Sequence, residues 1–195
     1  MNNLAIFASG SGTNAQNLIE YFNYGKGSNT ATVKAVICNK PGAYVLTRAE
    51  KLNIPSEVMN KEELTTTPGR LLEFLKQLNI DYIILAGYLL KIPSELIAEY
   101  PNRIINIHPA LLPSYGGKGM YGHHVHEAVV AAKEKESGIT IHLVDEKYDN
   151  GRILFQARCE VAATDTPDDV AAKIHLLEQA HFPTAVETYI NSRQM

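Results

Sequence analysis

Asn106 and His108 stand two residues apart at the end of the apolar run Arg103-Ile-Ile-Asn-Ile-His108, and Pro109-Ala-Leu-Leu-Pro113 follows at once. On a strand, residues two apart point to the same side, so this amide and this imidazole can face one pocket. The amide can donate a hydrogen bond to an oxygen that becomes anionic. The imidazole is the side chain whose protonation is most easily tuned near neutral pH. Such a pair suits chemistry in which negative charge develops on oxygen and a proton has to move. Pro109 and Pro113 fix backbone dihedrals, as a site with a strict geometry needs. A lone histidine at a strand end reads as a surface residue. Two polar groups converging at the end of a buried strand read as a site.

A second segment, Gly10-Ser-Gly12-Thr13-Asn14-Ala15, lies between a strand pattern and a helix pattern. Glycines allow close backbone approach, and helix N-terminal amides offer unpaired donors, so a phosphate is the natural ligand. The spacing also fits the G-x-G-x-x-A dinucleotide fingerprint, but Cys38-Asn39-Lys40 ends the next strand without the acid that a ribose requires. A monophosphate is therefore preferred to a dinucleotide, with a plain connecting turn as the third reading. A third segment, Asp145-Glu-Lys-Tyr-Asp149-Asn-Gly151, carries acids between two strands. Alone, Asp149-Asn-Gly is an ordinary turn signal. A carboxylate brought to His108 would raise the imidazole pKa, each unit being worth about 1.4 kcal/mol.

Other features carry less. Gly122-His-His-Val-His126 lacks carboxylate or cysteine partners at metal-ligand spacing and reads as a solvent-facing helix start, so no metal is expected. Ser9 and Ser11 fit the nucleophile-elbow pattern only if it is stretched. His142 is open between a pocket residue and a half-exposed strand histidine.

The elements that must position these groups alternate. Strand patterns cover 4–8, 33–38, 56–58, 81–86 and 103–107. Helix patterns cover 15–24, 43–52, 68–78 and 94–100. That alternation predicts a Rossmann-like α/β fold, with a mostly parallel twisted sheet and helices on both faces. Ligands of such sheets bind outside the carboxyl ends of the strands, which puts 9–14, 87–92 and 106–109 on one rim. Toward the C-terminal part, 138–145 and 152–161 predict an antiparallel pair, and 167–192 a long helix broken or kinked at Pro183.

Bulk properties narrow the class. A chain of 195 residues with 45% hydrophobic content predicts a single domain over 1–195. A net charge of -3 gives no nucleic-acid-binding surface, and two cysteines, Cys38 and Cys159, make no disulfide framework. No apolar stretch has membrane-spanning length. The N-terminus runs into a strand pattern without a basic region, so a cytoplasmic protein is expected.

Together, Asn106-Ile-His108-Pro-Ala-Leu-Leu-Pro113, Ser9-Gly-Ser-Gly-Thr-Asn14 and Asp149-Asn-Gly151 resemble the phosphoribosylglycinamide formyltransferases of purine biosynthesis, and more broadly the 10-formyltetrahydrofolate formyltransferase fold. The resemblance covers essentially the whole chain. It implies Asn106, His108 and Asp149 as the catalytic set. It implies Gly12, Thr13, Asn14, His175 and Glu178 as contacts to the acceptor substrate, with Thr13 where serine is common. Leu89, Leu90, Lys91, Ile92, Asn106, Asp145 and Asp149 are implied as folate contacts. Leu89 and Leu90 stand where familiar members carry Met and Arg, and Lys61 lies near the place of another folate-contacting Arg. Gly116–Gly122 reads as a glycine-rich flap.

The implied reaction moves a formyl group from 10-formyltetrahydrofolate, the co-substrate, to the amine of phosphoribosylglycinamide. Asn106 and an imidazolium at His108 would stabilise the tetrahedral intermediate, with Asp149 keeping His108 protonated. A monomer or homodimer acting on these small molecules is implied, without nucleic acid or membrane. A formyltetrahydrofolate deformylase and a non-catalytic nucleotide-binding module are the alternatives. Methionyl-tRNA formyltransferase ranks lower, because its members usually add a C-terminal domain and a basic surface.

Overall fold

The computed structural model describes residues 1–193. Its strands are β1 (Asn2–Ala8), β2 (Ala31–Cys38), β3 (Ser56–Val58), β4 (Tyr82–Leu85), β5 (Ile104–His108), β6 (Glu136–Leu143) and β7 (Ile153–Glu160). Its α-helices are α1 (Thr13–Ile19), α2 (Tyr44–Lys51), α3 (Lys61–Thr65), α4 (Gly69–Gln77), α5 (Ser94–Glu99), α6 (His123–Ala131) and α7 (Pro167–Ser192). The strands form one sheet of seven in the order β3-β2-β1-β4-β5-β6-β7. The first five pair in parallel, while β6 runs antiparallel to both β5 and β7. The chain therefore forms the mostly parallel sheet its pattern predicts, with the reversal at β6.

The two-residue period of β1 divides the core. Leu4, Ile6 and Ala8 join Leu18 of α1, Val45 of α2 and Phe182 of α7 on one face. Ala5 and Phe7 join Leu71 and Leu75 of α4 and Leu96 of α5 on the other. Helices cover both faces, and β1 is apolar from Leu4 to Ala8 because neither side meets water there. Each large side chain so buried contributes about 1.5–3 kcal/mol.

Polar contacts move several boundaries away from the hydrophobic pattern. β1 starts at Asn2, because its amide donates to the Thr30 carbonyl (3.1 Å) and the Asn3 amide donates to the Asp81 carboxylate (2.8 Å). The short α3, absent from the sequence reading, is set by a capping box in which Asn60 and Glu63 satisfy each other's backbone amides. β6 stops at Leu143, so Asp145 lies in the following loop rather than on the strand. That loop returns tightly: a Cβ at Gly151 would stand 1.9 Å from the Leu143 carbonyl oxygen.

Of the break or kink expected at Pro183, the break does not occur: α7 is one helix from Pro167 to Ser192. A proline at 183 has no N–H for the Gln179 carbonyl. The Asn17 side chain of α1 donates to that carbonyl instead (2.9 Å). The freed acceptor thus ties α7 to α1.

Candidate active site

A cavity of about 720 Å³ opens at the carboxyl ends of β1, β4 and β5. It is lined by residues 10–14 after β1, by the stretch 85–92 and by 106–109. His142, 144–149, 117–122 and part of α7 complete the wall. Gly12, Thr13, Asn14, Leu89, Leu90, Lys91, Ile92, Asn106, His108, Asp145, Asp149, His175 and Glu178 all lie on this surface. Lys61, at the start of α3, does not line it.

The loop after β1 is shaped by α2. Gly12 has φ +78°, and a Cβ there would stand 2.5 Å from Val45 Cβ, so only glycine fits. The Val45 amide donates to the Gly10 carbonyl (3.2 Å), and Arg48 Nε donates to the Ser11 carbonyl (2.8 Å). Arg48 also bonds Gln16. Nothing in the sequence signals Arg48 at this loop, since it comes from the following βα unit. The Asn14 side chain is already engaged with α7: Nδ2 donates to Glu178 (2.9 Å) and Oδ1 accepts from Gln179 (2.9 Å). What Asn14 offers a ligand is its backbone amide in the first helical turn, beside that of Thr13. Ser9 is buried, and its hydroxyl accepts from the Leu89 amide (3.1 Å), which ties β1 to the 87–92 stretch. That bond explains the serine without a nucleophilic role.

At the end of β5 the polar groups converge. His108 is 4% exposed, with Nδ1 3.7 Å from Asp149 Oδ2. His108 Nε2 lies 2.8 Å from the Tyr115 carbonyl oxygen. A carbonyl accepts only, so Nε2 carries the proton and Nδ1 is the nitrogen that faces Asp149. At 3.7 Å the imidazole and carboxylate are an electrostatic pair rather than a hydrogen-bonded one. The meeting of Asp149 with His108, which the local sequence does not require, is present in the fold.

His142 belongs to the same cluster. It is 2% exposed and pairs across the sheet with Asn106. Its Nδ1 lies 2.8 Å from the Leu143 carbonyl and Nε2 lies 3.0 Å from Asn106 Nδ2. Nε2 is also 3.7 Å from Asp149 Oδ1. The open choice for this histidine is thereby decided in favour of a pocket residue.

Burial sets the electrostatics. It pushes the His108 pKa down, the Asp149 carboxylate and the Tyr115 carbonyl only partly offset it, and the net value lies below the ordinary 6.5. That direction runs against an imidazolium held by Asp149, because at 3.7 Å the carboxylate does not outweigh desolvation. Burial drives Asp149 upward too, yet His142, His108 and the Gly117 amide together hold it below the usual carboxylate value. Glu178 goes the other way: burial raises it, and Asn14 and His175 recover only part of that.

Two residues, Thr140 and Gln156, lie outside the sequence reading. Thr140 Oγ1 donates to the Ala110 carbonyl (2.7 Å) and accepts from the Leu112 amide (3.0 Å), while Gln156 Nε2 donates to the Leu112 carbonyl (3.1 Å). These bonds fasten the proline-flanked stretch after His108 to β6 and β7. His123 and His124 of α6 are exposed as expected, but His126 is 6% exposed and forms part of the cavity wall. The solvent-facing reading fails there: His126 follows the buried Val125 and meets the cavity, and of the three histidines only the first two are left to solvent. Among the described residues, no group of three or more His, Cys, Asp or Glu is placed to hold a metal ion.

The model of the family described as formyl transferase matches residues 2–186. The chain belongs to the formyl transferase family. Within that family it is 41% identical over 175 residues to the chloroplastic phosphoribosylglycinamide formyltransferase of Arabidopsis thaliana, covering 88% of this chain and 59% of that protein. It is 35% identical over 191 residues to the phosphoribosylglycinamide formyltransferase of Bacillus subtilis, covering 96% and 94%. The chain thus spans about three fifths of the plant relatives' length, 59% and 61% for the two it matches. The solved phosphoribosylglycinamide formyltransferase of Bacillus halodurans superposes with a TM-score of 0.86 at 32% identity, covering 97% of this chain and 95% of that one. The fold is accordingly that of formyl transferases, reversed strand included.

Proposed function

We propose that this chain transfers the formyl group of 10-formyltetrahydrofolate to the amine of phosphoribosylglycinamide, the compound for which its relatives are named. One observation carries the reading: the neighbours Asn106 and His108 line one cavity with Asp149 and with the loop Gly12–Asn14, both distant from them in sequence. A phosphate seated on the first-turn amides of α1 holds the acceptor at one end. The stretches 89–92 and 145–149 take the folate, and His175 and Glu178 take the ribosyl moiety.

Attack of the amine on the formyl carbon leaves a tetrahedral adduct with negative charge on oxygen and positive charge on nitrogen. Asn106 Nδ2 has two hydrogens; one meets His142, and the other is available to the oxyanion. Resting His108 is neutral, so Nδ1 accepts the proton that the attacking nitrogen must lose. The imidazolium so formed is stabilised by Asp149 at 3.7 Å. It then returns the proton to the departing folate nitrogen as the adduct collapses. No covalent enzyme intermediate is needed. Positive charge thus arises on His108 during the reaction, and burial of the resting ring favours that order of events.

The test is formyl loss from 10-formyltetrahydrofolate with and without phosphoribosylglycinamide. Loss only with the acceptor supports transfer. Loss without it means a hydrolase, and no loss in either case sinks both readings in favour of a binding module.

A further inference from the structure

The turn that follows the proline-flanked stretch touches both members of the proton-handling pair. The Tyr115 carbonyl accepts from His108 Nε2 at 2.8 Å, and the Gly117 amide donates to Asp149 Oδ2 at 2.8 Å. Gly116, between them, has no room for a side chain: a Cβ would stand 2.5 Å from Leu112 Cδ2 and 3.2 Å from Asp149 Cβ. Three consecutive residues thus grip the far nitrogen of the imidazole and one carboxylate oxygen, and they leave 3.7 Å between Nδ1 and that oxygen.

The backbone there is not a relaxed one. Tyr115 has φ +56°, a left-handed conformation that non-glycine residues adopt only when the surroundings impose it. Its side chain is held at two points. The ring packs against the core, and the hydroxyl donates to Glu134 Oε1 at 2.7 Å. That bond, together with burial, also raises the phenol pKa. Glu134 lies just beyond α6 and lines no part of the cavity.

We infer that the turn Tyr115–Gly117 is the positioning element of the His108–Asp149 pair, with Tyr115 as its anchoring side chain. The turn keeps the proton on Nε2, so the lone pair of resting His108 is on Nδ1, where the reaction needs it. It also sets the gap in which the amine's proton is passed. Tyr115 touches no reacting atom; it acts through its own carbonyl and through the amide two residues on. The inference rests on the formyl-transfer reading for its kinetic consequence, but its geometric content does not.

Tyr115→Phe keeps the ring and removes the anchor to Glu134. We expect kcat to fall about tenfold, short of the hundredfold that a misplacement of about an ångström brings, with KM for both substrates unchanged. Nitrogen-15 spectra of the His108 ring should show the Nε2–H tautomer in the wild type and a mixture in the variant. Glu134→Gln, which keeps an acceptor for the hydroxyl, should hold kcat and the tautomer near wild type. An unchanged kcat in Tyr115→Phe, or a loss confined to KM with the tautomer intact, overturns the inference. The spectra need no turnover, so they judge the turn even if the wild-type chain transfers no formyl group.

Discussion

Asn106 and His142 face each other across β5 and β6, with Asn106 Nδ2 3.0 Å from His142 Nε2. His142 can accept that bond only because its own proton is committed on the other nitrogen, to the Leu143 carbonyl. The chain of bonds fixes which way round the Asn106 amide lies, and so where its second N–H points. Asn106→Ala should therefore retain both substrates while kcat falls about 100- to 1,000-fold, the range for loss of one oxyanion donor. His142→Phe should lower kcat by a smaller factor. The double variant should be little worse than Asn106→Ala, because both changes remove one device. Steady-state kinetics on the three variants checks this, and additive losses count against the arrangement.

The resting charge of His108 yields a pH dependence with a definite sign. Its pKa is pushed below the ordinary 6.5, so the neutral ring that the proposed mechanism uses persists through the usual imidazole range on acidification. Asp149, itself held low, stays ionised over the same interval. The acid limb of kcat/KM should accordingly fall below pH 6.5, not above it. Asp149→Asn removes the main upward influence on His108, so the limb should move further toward acid while kcat drops sharply. Stability follows the same linkage: both groups have depressed folded pKa values, so their contribution is lost as pH falls through them. A His108 resonance titrating at or above 6.5 would remove the neutral-base mechanism.

Much of this was legible in the chain, and the physical reason is periodicity. Alternating strand and helix patterns fix the sheet type, and the rim rule then gathers 9–14, 87–92 and 106–109 without any knowledge of side-chain contacts. What stayed hidden depends on register and on backbone groups. Thr140 and Gln156 reach the Leu112 backbone only because β6 pairs with β7 in one register. Arg48 reaches Ser11 from another βα unit, and Tyr115 acts through a carbonyl that every residue possesses. His126 was misplaced because a helix start next to glycines does not reveal which side meets the cavity. The downward push on the His108 pKa is hidden for a related reason: a neighbouring carboxylate is suggested by a motif, whereas the depth of burial is not.

Gly12 offers a test of the phosphate end that leaves the proton-handling groups alone. A methyl group at this position meets Val45 Cβ at 2.5 Å, and the φ of +78° disfavours any side chain. Gly12→Ala should displace the loop from α2 and raise KM for phosphoribosylglycinamide about tenfold or more, with kcat at saturation and KM for the folate little changed. A dephosphorylated acceptor should bind weakly to the wild type and no worse to the variant. Equal affinity of the wild type for the two acceptors would rule out the phosphate assignment.

Glu178 separates binding from stability. Its carboxyl is buried and its pKa is raised above 4.5, so its contribution to stability is present below the unfolded value and is lost as pH rises through the folded one. As the group ionises on the alkaline side, burial penalises the carboxylate and Asn14 and His175 recover only part of that penalty. Glu178→Gln keeps an acceptor for Asn14 and carries no charge. The variant should melt at a higher temperature than the wild type at pH 8, with the gain shrinking toward pH 4.5. The proposed contact to the ribosyl moiety needs the anion, so the same variant should raise KM for the acceptor about tenfold, the worth of one hydrogen bond to a charged group. Thermal denaturation at several pH values, paired with acceptor KM, reads both effects. A variant that is less stable at pH 8 would show that the Asn14–Glu178 bond outweighs the burial of charge, and an unchanged KM would move the acceptor away from this part of α7.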